Sequence, residues 1–163
     1  MNTELKKKSM TQEQKELLIK DLCGRLPYGV KAYVKVWSKL DMKYYEGDYI
    51  VKSIFPSLNE VHVQSETGSW DVYLTNNDHE IKPYLFPLSS MTEEQWMDTP
   101  YANLNKFTFD SFKCGCSTLA FETYEVNLNY VVEFINWCYK NHFDINGLIP
   151  MGLAIDATNL NIY

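Results

Sequence analysis

From Val30 to Leu85 the chain offers one short strand pattern after another with no helical stretch between them, and this run constrains the fold more than any other feature. Val30, Ala32, Val34 and Val36 alternate with Lys31, Tyr33, Lys35 and Trp37, a period of two that makes one face apolar and the other amphipathic. Glu46-Gly47-Asp48 reads as a turn leading into a second strand, Tyr49 to Phe55, which Pro56 stops. Asn59 to Gln64 and Trp70 to Thr75 read as a third and a fourth, with turns at Thr67-Gly68-Ser69 and Asn76-Asn77-Asp78. Glu80 to Leu85 reads as a short fifth, where Pro83 demands an edge or a strand end. Parallel pairing needs a crossover of a dozen or more residues, so strands this closely spaced predict an antiparallel meander. Such a sheet must curl or be covered, either as α+β or as a small SH3-like barrel of four to five strands.

Helical signals flank the run. Thr11 and Gln14 have capping-box spacing before Leu17, Leu18 and Leu22, which predicts a helix from about Thr11 to Cys23 with Gly24 as its C-cap. Thr92 and Gln95 repeat the box, with Glu93 and Glu94 in the first turn, and predict a short helix to Asp98 ahead of Pro100. Val131, Phe134, Ile135 and Cys138 fall at i, i+3, i+4 and i+7 within a helix from about Leu128 to Asn141. Leu148 to Ala154 is apolar enough to fold back on the core. The stretch from Tyr101 to Val126 favours neither state, apart from a strand pattern at Thr118 to Val126. The organisation expected is a flexible basic tail over residues 1–10 and one α+β domain over 11–163, strand-rich across 30–85 and helix-rich across 90–163, with the helical part packed on the sheet.

Composition narrows the function classes. With 45% hydrophobic and 15% aromatic residues, the chain holds enough apolar surface to fold. No run approaches a membrane span, and MNTELKKKSM lacks the apolar stretch of a secretory signal, so the expectation is a cytoplasmic protein with no membrane partner. Residues 1–40 hold nine Lys or Arg against four Asp or Glu, and the remainder six against seventeen, giving a basic end at +5 and an acidic body at −11. That balance disfavours sequence-independent binding to nucleic acid. Lys6, Lys7 and Lys8 are read as a solvated end.

Catalytic and cofactor patterns do not emerge. Cys114-x-Cys116 could supply two ligands of a zinc site, with Cys138 and His142 as distant completions, but the plain reading is unpaired or structural thiols and no metal. His62 lies on a strand face opposite Val61 and Val63, His79 lies in a turn, and His142 closes a helix where an imidazolium would suit the dipole. Glu93–Glu94 and Glu122–Glu125 read as solvated surface. Phosphate-cradling glycine loops and nucleophile elbows are absent, so no cofactor and no catalytic residue is assigned. Aromatics remain: Tyr33, Trp37, Tyr73, Tyr84 and Trp137 are the candidate binding residues, to be weighed against an aromatic core.

Three segments, LCGRLPYGV at Leu22 to Val30, KPYLFPLSSMTEEQ at Lys82 to Gln95 and WCYKNHFDINGLIPMGL at Trp137 to Leu153, resemble a family of uncharacterised phage and prophage proteins of gut bacteria. The resemblance spans most of the chain, with departures at Phe86, Ile145 and Asn146. It implies a bacterial host and carries no activity. The function expected is a non-enzymatic accessory protein that binds a host protein or another macromolecule. The alternatives are a small barrel contacting nucleic acid through stacked rings, and a small-molecule sponge or enzyme with a pocket between sheet and C-terminal helix near Tyr84 and Trp137.

Overall fold

A computed structural model describes residues 9–66, 68–102, 109 and 128–163, so the basic tail through residue 8, Cys114-x-Cys116 and the strand expected at Thr118 to Val126 lie outside the described residues. Helix α1 spans Gln12–Arg25, α2 Glu93–Met97 and α3 Leu128–Lys140. The strands are β1 Lys31–Ser38, β2 Lys43–Phe55, β3 Glu60–Ser65, β4 Gly68–Tyr73 and β5 Glu80–Pro87, followed by two-residue pieces β6 Phe143–Asp144 and β7 Ile155–Asp156. They form one sheet in the order β4-β3-β2-β1-β5-β6, with β7 also on β5. β1 to β5 pair antiparallel, whereas β6 and β7 run parallel to β5. β1 to β4 run as a meander, β5 returns to the free side of β1, and the sheet does not close, so the fold is α+β.

Alternation decides which residues face α1. Val30, Ala32, Val34 and Val36 are buried with Val51, Val61, Val63, Val72, Leu74 and Ile81, and Leu18, Ile19 and Leu22 of α1 pack on them. Leu148, Leu153 and Ala154 fold back onto the same core. A second cluster, built from Met91, Trp96, Tyr101, Phe134, Cys138 and Phe143, lies beside it.

Both capping boxes form: Thr11 with Gln14 and Thr92 with Gln95 satisfy each other's backbone donors. The expected end of α1 is corrected, because Gly24 is inside the helix and Gly29, at φ +71°, makes the left-handed turn after a 3-10 turn at Leu26–Tyr28. Gly24 serves close approach instead: a Cβ there would sit 2.5 Å from the Tyr139 ring of α3. Gly24→Ala is therefore expected to destabilise the fold by about 2 kcal/mol through overpacking. Urea titration checks this, and a midpoint equal to wild type would mean that the Tyr139 ring moves aside freely.

The expected turn at Glu46-Gly47-Asp48 is also corrected, since those residues lie inside the 13-residue β2, opposite Lys35, Val34 and Tyr33 of β1. The continuous β1 ladder from Lys43 to Ile50 overrides local turn chemistry. Pro83 sits opposite Ala32 within β5, short of the positions where β6 and β7 join. At the far edge of the sheet, the Tyr73 N–H donates to His79 Nδ1 at 3.1 Å.

The motif segments do architectural work. Asp144 accepts from the N–H groups of Leu148 and Ile149 at 2.9 and 2.8 Å, which fixes the turn through Gly147. Arg25 and Asp21, neither exposed, form a 2.7 Å ion pair one helical turn apart. Arg25 also donates to the Phe143 carbonyl at 2.8 Å and lies 5.0 Å over the Tyr139 ring, and Asn146 donates to Asp21 at 2.8 Å. α1, α3 and β6 thus meet on one buried polar knot.

Candidate docking face

Opposite α1 the sheet has a second face, carrying the side chains that alternate with the core. On β1 these are Tyr33, Lys35 and Trp37, which lie across from Asp48, Glu46 and Tyr44 of β2. Their contacts form a ladder. Tyr33 donates to Glu46 at 3.0 Å and Lys35 pairs with the same carboxylate at 3.1 Å. Lys35 lies 4.9 Å from the Tyr44 ring centre, and Trp37 meets Tyr44 edge-on at 4.9 Å. These two donors hold the Glu46 carboxyl below its ordinary range. Desolvation, then the neighbouring Glu46 carboxylate, raises the Tyr33 phenol.

The ladder leads to the β1–β2 connection at residues 39–42. Ser38 donates to Asp41 at 2.8 Å and accepts the Asp41 N–H at 3.2 Å, and Tyr45 donates to the same carboxylate at 3.0 Å. Asp41 is held ionised below its usual range by the Ser38 and Tyr45 hydrogen bonds. Met42 is in the left-handed region at φ +51°, which a side chain with a Cβ adopts only when its surroundings fix it. From this braced turn Leu40 and Met42 project at 92% and 72% exposure, between Lys39 and Lys43. A rigid apolar pair in water is what an interface anchor looks like before it is covered.

The five sequence candidates separate by position. Tyr33 and Trp37 belong to this ladder. Tyr73 is exposed on the same face at the far strand, opposite Glu60, whose charge raises its phenol pKa. Tyr84 points to the same side but is only 6% exposed, donating to Asp48 at 2.6 Å; desolvation, then that hydrogen bond, pushes its phenol strongly up. Trp137 lies elsewhere, stacked on Phe143 at 5.5 Å beside the second cluster. Leu40 and Met42 went unread because the turn was placed seven residues later. The signal was present, as two apolar residues interrupt the charged run Lys39 to Lys43.

Chemistry at the histidines is settled by their partners. His62 reaches Asp71 through Nδ1 at 2.7 Å on the exposed face. The expectation of a charged His142 at the helix end is corrected: the ring is buried, and desolvation, then Arg25 and Lys31, pushes its pKa down to about 4. It is neutral near pH 7. Burial pushes the Cys138 thiol up to about 12, the direction opposite to a thiolate ligand. Among the described residues no group of three or more His, Cys, Asp or Glu is placed to hold a metal ion, and no helix is long and apolar enough to cross a membrane.

Two open cavities are present, one beside the start of α1 and one over β2. One of about 410 Å³ lies among Thr11, Gln14, Asn76, His79 and Met151. The other, about 590 Å³, lies among Lys31, Glu46, Asp48, Ile50 and Lys52. Neither is lined by Tyr84 or Trp137. Comparison of the chain with protein-family models, curated proteins and solved structures finds no match in any of the three.

Proposed function

We propose that the chain is a non-enzymatic accessory protein of the phage or prophage kind, which acts in the cytoplasm of a bacterial host by docking its β1–β2 hairpin onto a host protein. One observation carries this reading: Leu40 and Met42 stand at 92% and 72% exposure on a turn held by Ser38, Asp41 and Tyr45. Pre-ordering lowers the entropy lost on binding, and apolar anchors in a partner's pocket dominate interface energy. Trp37 and Tyr44, packed edge to face, add aromatic surface on the same hairpin, and Lys39 and Lys43 favour an acidic rim around the receiving pocket.

The test compares wild type with a Leu40→Asp, Met42→Asp double variant in pull-downs from host lysate at low and physiological salt. Because both side chains are solvated, stability should stay within about 0.5 kcal/mol of wild type. Recovery of the partner should fall at least about 10-fold. Equal recovery by both proteins, or no partner at either salt, would remove the reading.

A further inference from the structure

Tyr84 is buried although it faces the open side of the sheet, and the Tyr163 hydroxyl reaches its backbone carbonyl. The pairing of β1 with β5 ends at Ala32 and Pro83. One position further along, Lys31 and Tyr84 would face each other, but a phenol stands between them. The Lys31 N–H donates to the Tyr163 hydroxyl at 3.2 Å, and that hydroxyl donates to the Tyr84 carbonyl at 3.0 Å. The Tyr163 ring lies flat on the His142 imidazole, 3.9 Å between centres and 9° from parallel. Phe86 flanks it at 6.0 Å, and the Lys31 ammonium lies 5.7 Å from the ring centre.

This groove reads a phenol rather than a plain ring. A backbone donor and a backbone acceptor converge on one hydroxyl, satisfying it in both directions, and a neutral imidazole supplies the stacking wall. Its present occupant is lightly held. After Ala157, which is buried and donates to the Leu85 carbonyl at 2.8 Å, the chain has no regular secondary structure. Thr158, Asn159, Leu160 and Asn161 are exposed. Beyond Tyr163, the segment's recorded anchor to the sheet is the Ile162 carbonyl, which accepts from Lys31 Nζ.

We propose that the cleft formed by Lys31, Tyr84, Phe86 and His142 is a recognition site for a tyrosine carried on an extended segment of a partner protein, and that residues 158–163 are a strap occupying it in cis. Partner and strap compete for the same hydroxyl pair. The site shares none of the Leu40 and Met42 anchors, so it stands or falls separately from the hairpin reading.

The experiment uses the chain lacking residues 158–163 and the free peptide of those residues, followed by calorimetry and by the ring-proton shifts of His142. The peptide should bind the shortened chain, and bind the intact chain at least about 10-fold more weakly. A peptide ending in phenylalanine should also lose at least about 10-fold, since both hydroxyl bonds go and the buried donor and acceptor are left unpaired. A folded shortened chain that ignores the peptide at millimolar concentration, or that takes both peptides equally, overturns the proposal. So does equal binding by the intact chain. If the shortened chain does not fold, the full chain with Tyr163→Ala is titrated with N-acetyl-tyrosinamide and with its phenylalanine counterpart. Preference for the phenol supports the site; no binding, no preference, or an unfolded variant makes Tyr163 a fixed part of the core and ends the idea.

Discussion

Asp21→Ala is expected to destabilise the protein by about 3–5 kcal/mol, a large share of the roughly 5–15 kcal/mol that holds a domain of this size together. The Arg25 guanidinium would remain fully buried, with the Phe143 carbonyl and the Tyr139 ring as partners and no carboxylate to balance its charge. One of its nitrogens, Nη1, already lacks a hydrogen-bond partner among the described residues. Asn146 would keep only the longer 3.4 Å bond to the Tyr139 hydroxyl. The penalty arises from the stranded cation and not from the net worth of the pair. A double variant, Asp21→Leu with Arg25→Met, should therefore be more stable than Asp21→Ala alone. Urea unfolding of the three proteins decides the matter, and a double variant weaker than the single would show that the ion pair itself supplies the stability.

Stability should also fall by roughly 3 kcal/mol as the pH drops from 6.5 toward 4, because of His142. Folding lowers the pKa of this histidine from 6.5 to about 4, so between those values the unfolded chain binds a proton that the folded chain refuses. The contribution is intact above pH 6.5 and is lost progressively on acidification. Burial is the largest cause, and the charges of Arg25 and Lys31 oppose charging of the ring further. His79, also depressed by burial, adds a smaller slope of the same sign. The Asp41 and Glu46 carboxyls, whose pKa values are lowered, withdraw stability only at still lower pH. His142→Asn retains a residue that tolerates the left-handed backbone at φ +59° and removes the titrating ring. Its unfolding midpoint should vary much less over the same range, and an unchanged slope would assign the acid sensitivity elsewhere.

Local signals were legible where local physics decides. Both capping boxes, the β1 alternation and the span of α3 follow from spacing within a few residues, and the structure has them where the spacing puts them. Readings failed where a distant residue intervenes. Glu46-Gly47-Asp48 has the chemistry of a turn, but those residues pair with Lys35, Val34 and Tyr33 of β1, and that ladder carries the strand through until β3 joins from Ile50. Gly24 looks like a cap until Tyr139, more than a hundred residues on, requires the space. His142 occupies a helix end that favours a cation, but burial, with the charges of Arg25 and Lys31 added, reverses the preference. Asp21 and Arg25 are visibly one turn apart in the sequence; that both are wholly buried is not. The candidate face was half readable. Rings alternating on β1 gave Tyr33 and Trp37, whereas the burial of Tyr84 comes with its distant partner Asp48, and Leu40 and Met42 depended on placing the turn correctly.

The Tyr73 amide, taken by His79, governs how the sheet ends. Strand β4 is the outermost member, and every outward amide on such a strand is an invitation to another chain. A six-residue strand leaves few of them, and an imidazole folded back from the next turn removes one more. One amide that could seed lateral growth of the kind that builds fibrils is thus taken by a ring six residues downstream, while the chain's most exposed apolar side chains, Leu40 and Met42, stand on the hairpin and not on this border.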